Sequence, residues 1–166
     1  YYTQLRAPVI NHSLDLRAGT QPPNTYRTAR GLQPSQWPIG PGILWSPFFI
    51  ATDLLVRWFG TLPLANGISW PYIAAVSAGS ALYGLLGVLI IYRTCRVFTS
   101  RGPASIAALL ALCASPLFYY TFRQPIMAHS TSIFAMALLM YVCVAYDQGT
   151  IALRHSGLLI GAMLGL

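Results

Sequence analysis

The chain has 166 residues, of which 55% are hydrophobic, 13% aromatic and only 8% charged. Soluble domains carry roughly 25% charged residues, so this composition excludes an ordinary water-soluble domain. The net charge of +7 comes from ten arginines, without any lysine, against three aspartates. These arginines stand beside apolar stretches and do not form one basic stripe with interleaved aromatic residues, which excludes a nucleic-acid partner and favours a role in membrane orientation.

Residues 1–42 predict a loop. Between Gln21 and Gly42 the sequence contains five prolines and three glycines, a composition that rules out a regular helix or a central strand. No basic start followed by an apolar stretch opens the chain, so it lacks the pattern of a cleavable signal peptide. We therefore expect the sequence to be a fragment of a longer protein.

Residues 43–59 predict an amphipathic helix. Asp53 and Arg57 are four positions apart, the spacing at which a carboxylate and a guanidinium pair on one helical face. Bulky apolar residues supply the other side, as in helices that lie in the membrane interface. Two placements follow from these residues alone. If the helix lies on the outer surface, the preceding loop is extracytoplasmic, and if the helix spans the bilayer, that loop is cytoplasmic.

The rest of the chain, residues 71–166, predicts a bundle of transmembrane helices. Crossing the hydrocarbon core takes roughly 20 apolar residues. Three uncharged stretches reach that length, and a fourth is expected to be truncated. They are residues 71–92, 103–122, 125–146 and 152–166. The fold predicted from the sequence is therefore all-α, a polytopic transmembrane bundle.

The arginines between these stretches predict their orientation. The link after the first stretch carries Arg93, Arg96 and Arg101 and no acid, whereas the next link carries only Arg123. Cytoplasmic loops are enriched in arginine, so the first link is expected inside. Trp70 and Tyr72 then mark the outer end of the first span, as in an aromatic belt.

Asp15 is the candidate catalytic residue. It is the only acid among the first fifty residues and stands close to His12 and Arg17. A carboxylate within hydrogen-bond reach of a hydroxyl can act as a general base, and a neighbouring cation tunes its basicity. The alternative is a solvated loop aspartate. His12 and Asp15 together supply too few ligands for a metal.

Arg123 and His129 are candidate substrate-binding residues on the predicted outer turn between the second and third spans. Ionisable groups are costly near the bilayer and often face a functional site. A guanidinium offers several donors to phosphate oxygens at the headgroup level. The alternatives are that Arg123 reaches a lipid phosphate without further function and that His129 caps its helix with Ser130.

The cysteines do not predict a metal centre or a disulfide. Cys95, Cys113 and Cys143 lack the spacing of metal ligands, and two of them fall within predicted spans, where thiols act as small apolar side chains. No cofactor is expected from these residues.

Three segments, in the same order, resemble bacterial GT-C-type membrane glycosyltransferases, relatives of the protein mannosyltransferases and aminoarabinose transferases. They are Trp37 to Phe49, Pro71 to Gly87 with its Gly79-Ser80-Ala81-Leu82-Tyr83-Gly84 run, and Pro116-Leu117-Phe118-Tyr119-Tyr120. The resemblance extends from about Tyr1 to Tyr146. It implies a multi-pass protein of the bacterial cytoplasmic membrane, with residues 1–42 as an extracytoplasmic loop and residues 43–59 as an interfacial helix.

The resemblance also implies a reaction. Such enzymes transfer a sugar from a polyprenyl-phosphate donor to an acceptor on the outer face of the membrane. Arg6, Arg17 and Arg123 would stabilise the departing phosphate, and Asp15 would bind or orient a substrate. The key acid of the family is expected before residue 1, and Gln124 stands where the family often has an acid. Partners would be the lipid-linked donor, membrane lipids and possible further subunits, without a soluble cofactor.

Two other functions stay open at the level of sequence. A noncatalytic membrane subunit would keep the scaffold without the acid and pack against partner subunits. A transporter would need discontinuous helices around a polar site at the membrane midplane. The first two predicted spans carry no charge at that depth, which disfavours a transporter.

Overall fold

The computed structural model describes residues 2–16, 28–31, 35, 37–60 and 62–164, and this part of the chain is all-helical. Six α-helices follow in order: α1 (Tyr2–Ile10), α2 (Gly40–Trp58), α3 (Trp70–Phe98), α4 (Arg101–Cys113), α5 (His129–Asp147) and α6 (Leu153–Leu164). A 3-10 turn at Leu62–Leu64 precedes α3, and a π-helix at Tyr119–Arg123 lies between α4 and α5. The chain divides into two compact units, Tyr1–Ser77 and Ala78–Leu166.

The first unit has a small hydrophobic core. Helix α1 packs on α2, and the start of α3 contributes side chains to the same core. The buried members are Leu5, Trp45, Phe49, Val56, Tyr72 and Val76. Burying a large apolar side chain contributes roughly 1.5–3 kcal/mol, so these few residues supply much of the free energy that holds α1 and α2 together.

Helix α2 accommodates two prolines. Pro41 lies in the first turn, where a backbone N–H would have no helical partner. Pro47 lies inside the helix and cannot donate to the carbonyl of Ile43. The hydroxyl of Ser46 donates to that carbonyl instead, at 2.7 Å, so the helix continues through the proline.

Two helices, α3 and α5, are long and apolar enough to cross a bilayer. In the 18-residue apolar segment of each helix, only 28% is buried inside the protein, whereas a core helix of a soluble protein is mostly buried. The exposed apolar faces indicate membrane association. Among the described residues, α2 is also 19 residues long but does not reach the hydropathy of a span.

Within the second unit, the part of α3 that follows Ser77 and helix α5 run in the same direction. A Cβ added to Gly84 would lie 3.3 Å from the Cβ of Ser130. A Cβ added to Gly87, one turn later, would lie 3.3 Å from the backbone of Phe134. Because the residue numbers at successive contacts increase along both helices, α3 and α5 are parallel. Parallel neighbours need a returning segment, which α4 and the π-helix supply.

That returning segment differs from the continuous span expected over residues 103–122. Helix α4 ends at Cys113 and, at 13 residues, is about 20 Å long. Pro116 has no N–H for the preceding turn and disfavours helical geometry at Ser115, whose hydroxyl bonds the Ala111 carbonyl at 2.5 Å. The break therefore follows from the proline, and the chain resumes as the π-helix.

Helix α5 also starts later than expected, at His129 and not at Pro125, because residues 124–128 form a turn. It ends in a Schellman motif. Gly149 has a φ of 69° and donates to the Tyr146 carbonyl, and the N–H of Thr150 donates to the Ala145 carbonyl, each at 2.9 Å. Glycine suits this left-handed position, which turns the chain into α6.

Candidate functional site

The turn between α4 and α5 is the candidate functional site of the second unit. The π-helix closes with a bond from the Gln124 N–H to the Tyr119 carbonyl, at 3.0 Å. Pro125 then prevents continuation, and a bond from the Met127 N–H to the Gln124 carbonyl, at 3.2 Å, shapes the turn. Short π-helical segments are rare and frequently occur at functional sites.

Arg123 ends the π-helix and is exposed. Within the described residues its side chain has neither an ion pair nor a hydrogen bond, so all five guanidinium donors are open to a ligand. Gln124, also exposed, follows it and offers an amide that cannot act as a general base. The arrangement can bind an anion but supplies no acid of its own.

His129 begins α5 and stacks on Tyr120, with ring centroids 4.0 Å apart. His129 does not cap α5, because the N-cap residue is Ala128 and no side chain makes a capping hydrogen bond there. Ser130 instead lies 3.3 Å from the hydroxyl of Thr121. The imidazole is exposed and contacts its aromatic neighbour Tyr120, which lies on the π-helix that Arg123 ends.

Buried hydroxyl groups lie on the π-helix, on α5 and on α3. Thr121, Ser130 and Thr131 are fully buried, and Ser80 lies one helical turn before Gly84 on α3. A Cβ on Gly84 would lie 2.6 Å from Thr121 Oγ1, so glycine permits the close approach of the π-helix to α3. Small and hydroxylated residues at such a joint let membrane helices pack closely.

The first unit holds the other predicted site residues. Asp15 lies after α1 and is half-buried, and its N–H donates to the hydroxyl of Ser13 at 3.0 Å. A shallow pocket beside it is lined by Pro8, His12, Ser13 and Leu14. Arg17 lies outside the described residues. Arg123 and His129 belong to the second unit, so the predicted residues fall into separate groups.

Arg6 has a structural contact that the sequence did not predict. Its Nε donates to the carbonyl of Asn66 at 2.9 Å, and the hydroxyl of Tyr2 donates to the carbonyl of Gly67 at 2.8 Å. Together they hold the loop before α3 against α1. Burial raises the pKa of Tyr2 to about 12, although the nearby Arg6 charge acts in the opposite direction.

Asp53, a buried carboxylate in the same unit, makes two side-chain contacts, of which the sequence predicted one. The expected pair of Asp53 and Arg57 is confirmed, with Arg57 Nε donating to Asp53 Oδ2 at 2.8 Å. The hydroxyl of Tyr72 donates to Asp53 Oδ1 at 2.6 Å, and Tyr72 is fully buried. Tyr72 therefore belongs to the core and not to an exposed aromatic belt, whereas Trp70 is 72% exposed.

Comparison with known proteins does not assign the chain to a family. No family model, no curated protein and no solved structure matches the chain.

Proposed function

We propose that this chain belongs to a multi-pass glycosyltransferase of the bacterial cytoplasmic membrane that uses a polyprenyl-phosphate sugar as donor. The proposal depends chiefly on Arg123, an exposed cation without a partner among the described residues, which ends the π-helix whose Tyr120 contacts the His129 imidazole. The sequence resemblance supplies the reaction class. Asp15 in the first unit is the candidate that binds or orients a substrate.

The role of Arg123 follows from the charge that develops during transfer. An acceptor hydroxyl attacks the anomeric carbon, its proton passes to a carboxylate, and the bond from that carbon to the phosphate oxygen breaks. Negative charge therefore grows on the departing lipid phosphate. A guanidinium already in place stabilises that charge most strongly in the transition state, which lowers the barrier.

A cleft in the second unit supports a lipid-linked donor. An open, apolar cavity of about 320 Å³ lies between α3 and α5. Its lining consists of Ile91, Thr94, Cys95, Ile133, Met136, Ala137 and Met140. Met136 lies two turns after His129 on α5, so an isoprenoid chain whose phosphate is at the turn can extend along this cleft.

Replacing Arg123 tests the proposal. In membranes that contain the full protein and a polyprenyl-phosphate sugar, Arg123→Ala should lower sugar release by about a hundredfold to a thousandfold, since one stabilising donor is removed. Arg93→Ala is the matched control, because Arg93 is an exposed arginine on α3 and its loss changes the net charge equally. Equal release by both variants would contradict the role of Arg123. An inactive parent across a broad donor panel would contradict the transferase itself.

A noncatalytic membrane subunit is the second candidate. Arg6, one of the predicted phosphate ligands, is engaged with the Asn66 carbonyl, and Gln124 occupies the turn in place of an acid. Both observations favour a scaffold that packs with partner subunits. Copurification of a stable partner with an inactive parent protein would support this role.

A further inference from the structure

Ser80 on α3 has a buried hydroxyl that makes no hydrogen bond among the described residues. The side chain is completely buried, at 0% exposure. Other helical hydroxyls of the chain bond the carbonyl four residues earlier, as Thr94 does with Ile90 at 2.9 Å. A buried hydroxyl without a partner is costly, and few occur in folded proteins. The hydroxyl of Ser80 therefore indicates a bound ligand.

Two more buried hydroxyls lie beside the same face of α3. Ser80 precedes Gly84 by one helical turn, so the two positions share a face. A Cβ added to Gly84 would lie 2.6 Å from Thr121 Oγ1 and 3.3 Å from the Cβ of Ser130. Thr121 and Ser130 are as buried as Ser80. We call these three hydroxyls, of Ser80, Thr121 and Ser130, the hydroxyl site. All of it belongs to the second unit.

The π-helix adds backbone oxygens to this region. In an α-helix the carbonyl of Tyr120 would accept from the N–H of Gln124, but that N–H donates to Tyr119. The carbonyl of Thr121 would accept from residue 125, which is Pro125 and has no N–H. Both carbonyls therefore lack their α-helical donors next to the hydroxyl of Thr121.

We propose that the hydroxyl site binds Na⁺. The oxygens of Thr121 and Ser130 are 3.3 Å apart, longer than a normal hydrogen bond between hydroxyls. Oxygen ligands of a cation the size of Ca²⁺ or Na⁺ lie about 2.4 Å from the ion, so two ligands at right angles are about 3.4 Å apart. The observed separation fits two neighbouring ligands of such an ion. Unwound backbone carbonyls are known ligands of Na⁺ in membrane proteins.

The charges near the site select a monovalent ion. Ca²⁺ and Mg²⁺ are usually bound through carboxylates. The only acid of the second unit is Asp147, which ends α5, about 24 Å along the helix from Thr131. Arg123 is two residues from Thr121 but exposed, so solvent screens its charge. A neutral set of hydroxyl and carbonyl oxygens therefore suits a single positive charge.

Thermal unfolding of the full chain in detergent tests the proposal, with sodium chloride or choline chloride at equal ionic strength. Saturating Na⁺ should raise the unfolding midpoint by about 5 °C or more, because a ligand of the folded state stabilises it. Ser80→Ala should lose most of this rise. In choline, the variant should be at least as stable as the parent, because the unpaired hydroxyl is gone. Ser105→Ala, at an exposed serine of α4, is the matched control and should keep the full rise.

Binding of radioactive sodium gives a second measurement. The parent should bind Na⁺ saturably, and Ser80→Ala should bind it at least about tenfold more weakly, because one ligand oxygen is lost. Unlabelled Na⁺ should displace the label better than K⁺ or Ca²⁺ does. Sodium binding does not depend on glycosyl transfer, so a parent protein without transferase activity should still show it.

Three results would overturn the proposal. The first is an equal midpoint in sodium and choline. The second is an equal effect of sodium on the parent and on Ser80→Ala. The third is an equal destabilisation of Ser80→Ala in both salts, which would mean that the hydroxyl bonds only to protein or to an ordered water.

Discussion

Asp53 is the one acidic side chain that is buried among the described residues, and its two oxygens are bonded to different helices. Oδ2 accepts from Arg57 of the same helix, whereas Oδ1 accepts from Tyr72 of α3. The first contact orients the carboxylate and the second joins two elements. Because a buried carboxylate is costly without partners, this pair of bonds favours one arrangement of α2 and the first turn of α3 over alternatives that leave Asp53 unsatisfied.

Removal of the Tyr72 hydroxyl should destabilise the first unit. Tyr72→Phe is expected to cost about 1.5–3 kcal/mol, the range for a hydrogen bond to a charged group. Unfolding of the purified chain in detergent, followed by tryptophan fluorescence, measures the cost. Tyr146→Phe, at an exposed position on α5, is the control and should be neutral. A double-mutant cycle with Asp53→Asn would show no coupling if the 2.6 Å contact contributes nothing.

Helices α3 and α5 could be predicted from the sequence, because an uninterrupted apolar run of sufficient length has few other structures. The pairing of Asp53 with Arg57 could be predicted too, since a spacing of four is local. Tyr72 could not be assigned to Asp53, because no local spacing connects residues 19 apart. Pro116 could have predicted the break within residues 103–122, but mean hydropathy does not take account of the effect of proline on a helix.

The joint between α3 and the π-helix depends on Gly84. Gly84→Ala should destabilise the second unit by about 1–3 kcal/mol, because the new methyl group would lie 2.6 Å from Thr121 Oγ1. Gly102→Ala in α4 is the control. Its methyl group would meet no atom within 4 Å, so alanine should be neutral or stabilising there. Thermal unfolding in detergent distinguishes the two.

A second substitution shows whether the contact itself is responsible. Adding Thr121→Ala to Gly84→Ala makes room for the methyl group, although the bond between Thr121 and Ser130 is lost. If the contact causes the strain, the double variant should be less destabilised than the sum of the single effects. Similar stabilities of Gly84→Ala and Gly102→Ala would mean that the joint is not closely packed.

Across the whole chain, the direction of the returning segment decides how the second unit relates to the membrane. Parallel α3 and α5 require that residues 99–128 bring the chain back over a length comparable with the paired part of α3. Helix α4 alone is about 20 Å long, shorter than the hydrocarbon core of about 30 Å. The π-helix must supply the remaining distance if the segment crosses.

Thiol labelling on either side of this segment tests the crossing. In a chain whose three cysteines are replaced by serine, Ser100→Cys and Gln124→Cys place single thiols at exposed positions before and after it. The arginines before Ser100 predict that this end is cytoplasmic. An impermeant maleimide on intact cells should therefore label Gln124→Cys and leave Ser100→Cys unlabelled until lysis. If α5 crosses the membrane in the direction of α3, Gln148→Cys should behave as Ser100→Cys does. Labelling of positions 100 and 124 from the same side would mean that the proline break turns the chain around within one leaflet, and Arg123 would then face the compartment of Arg93.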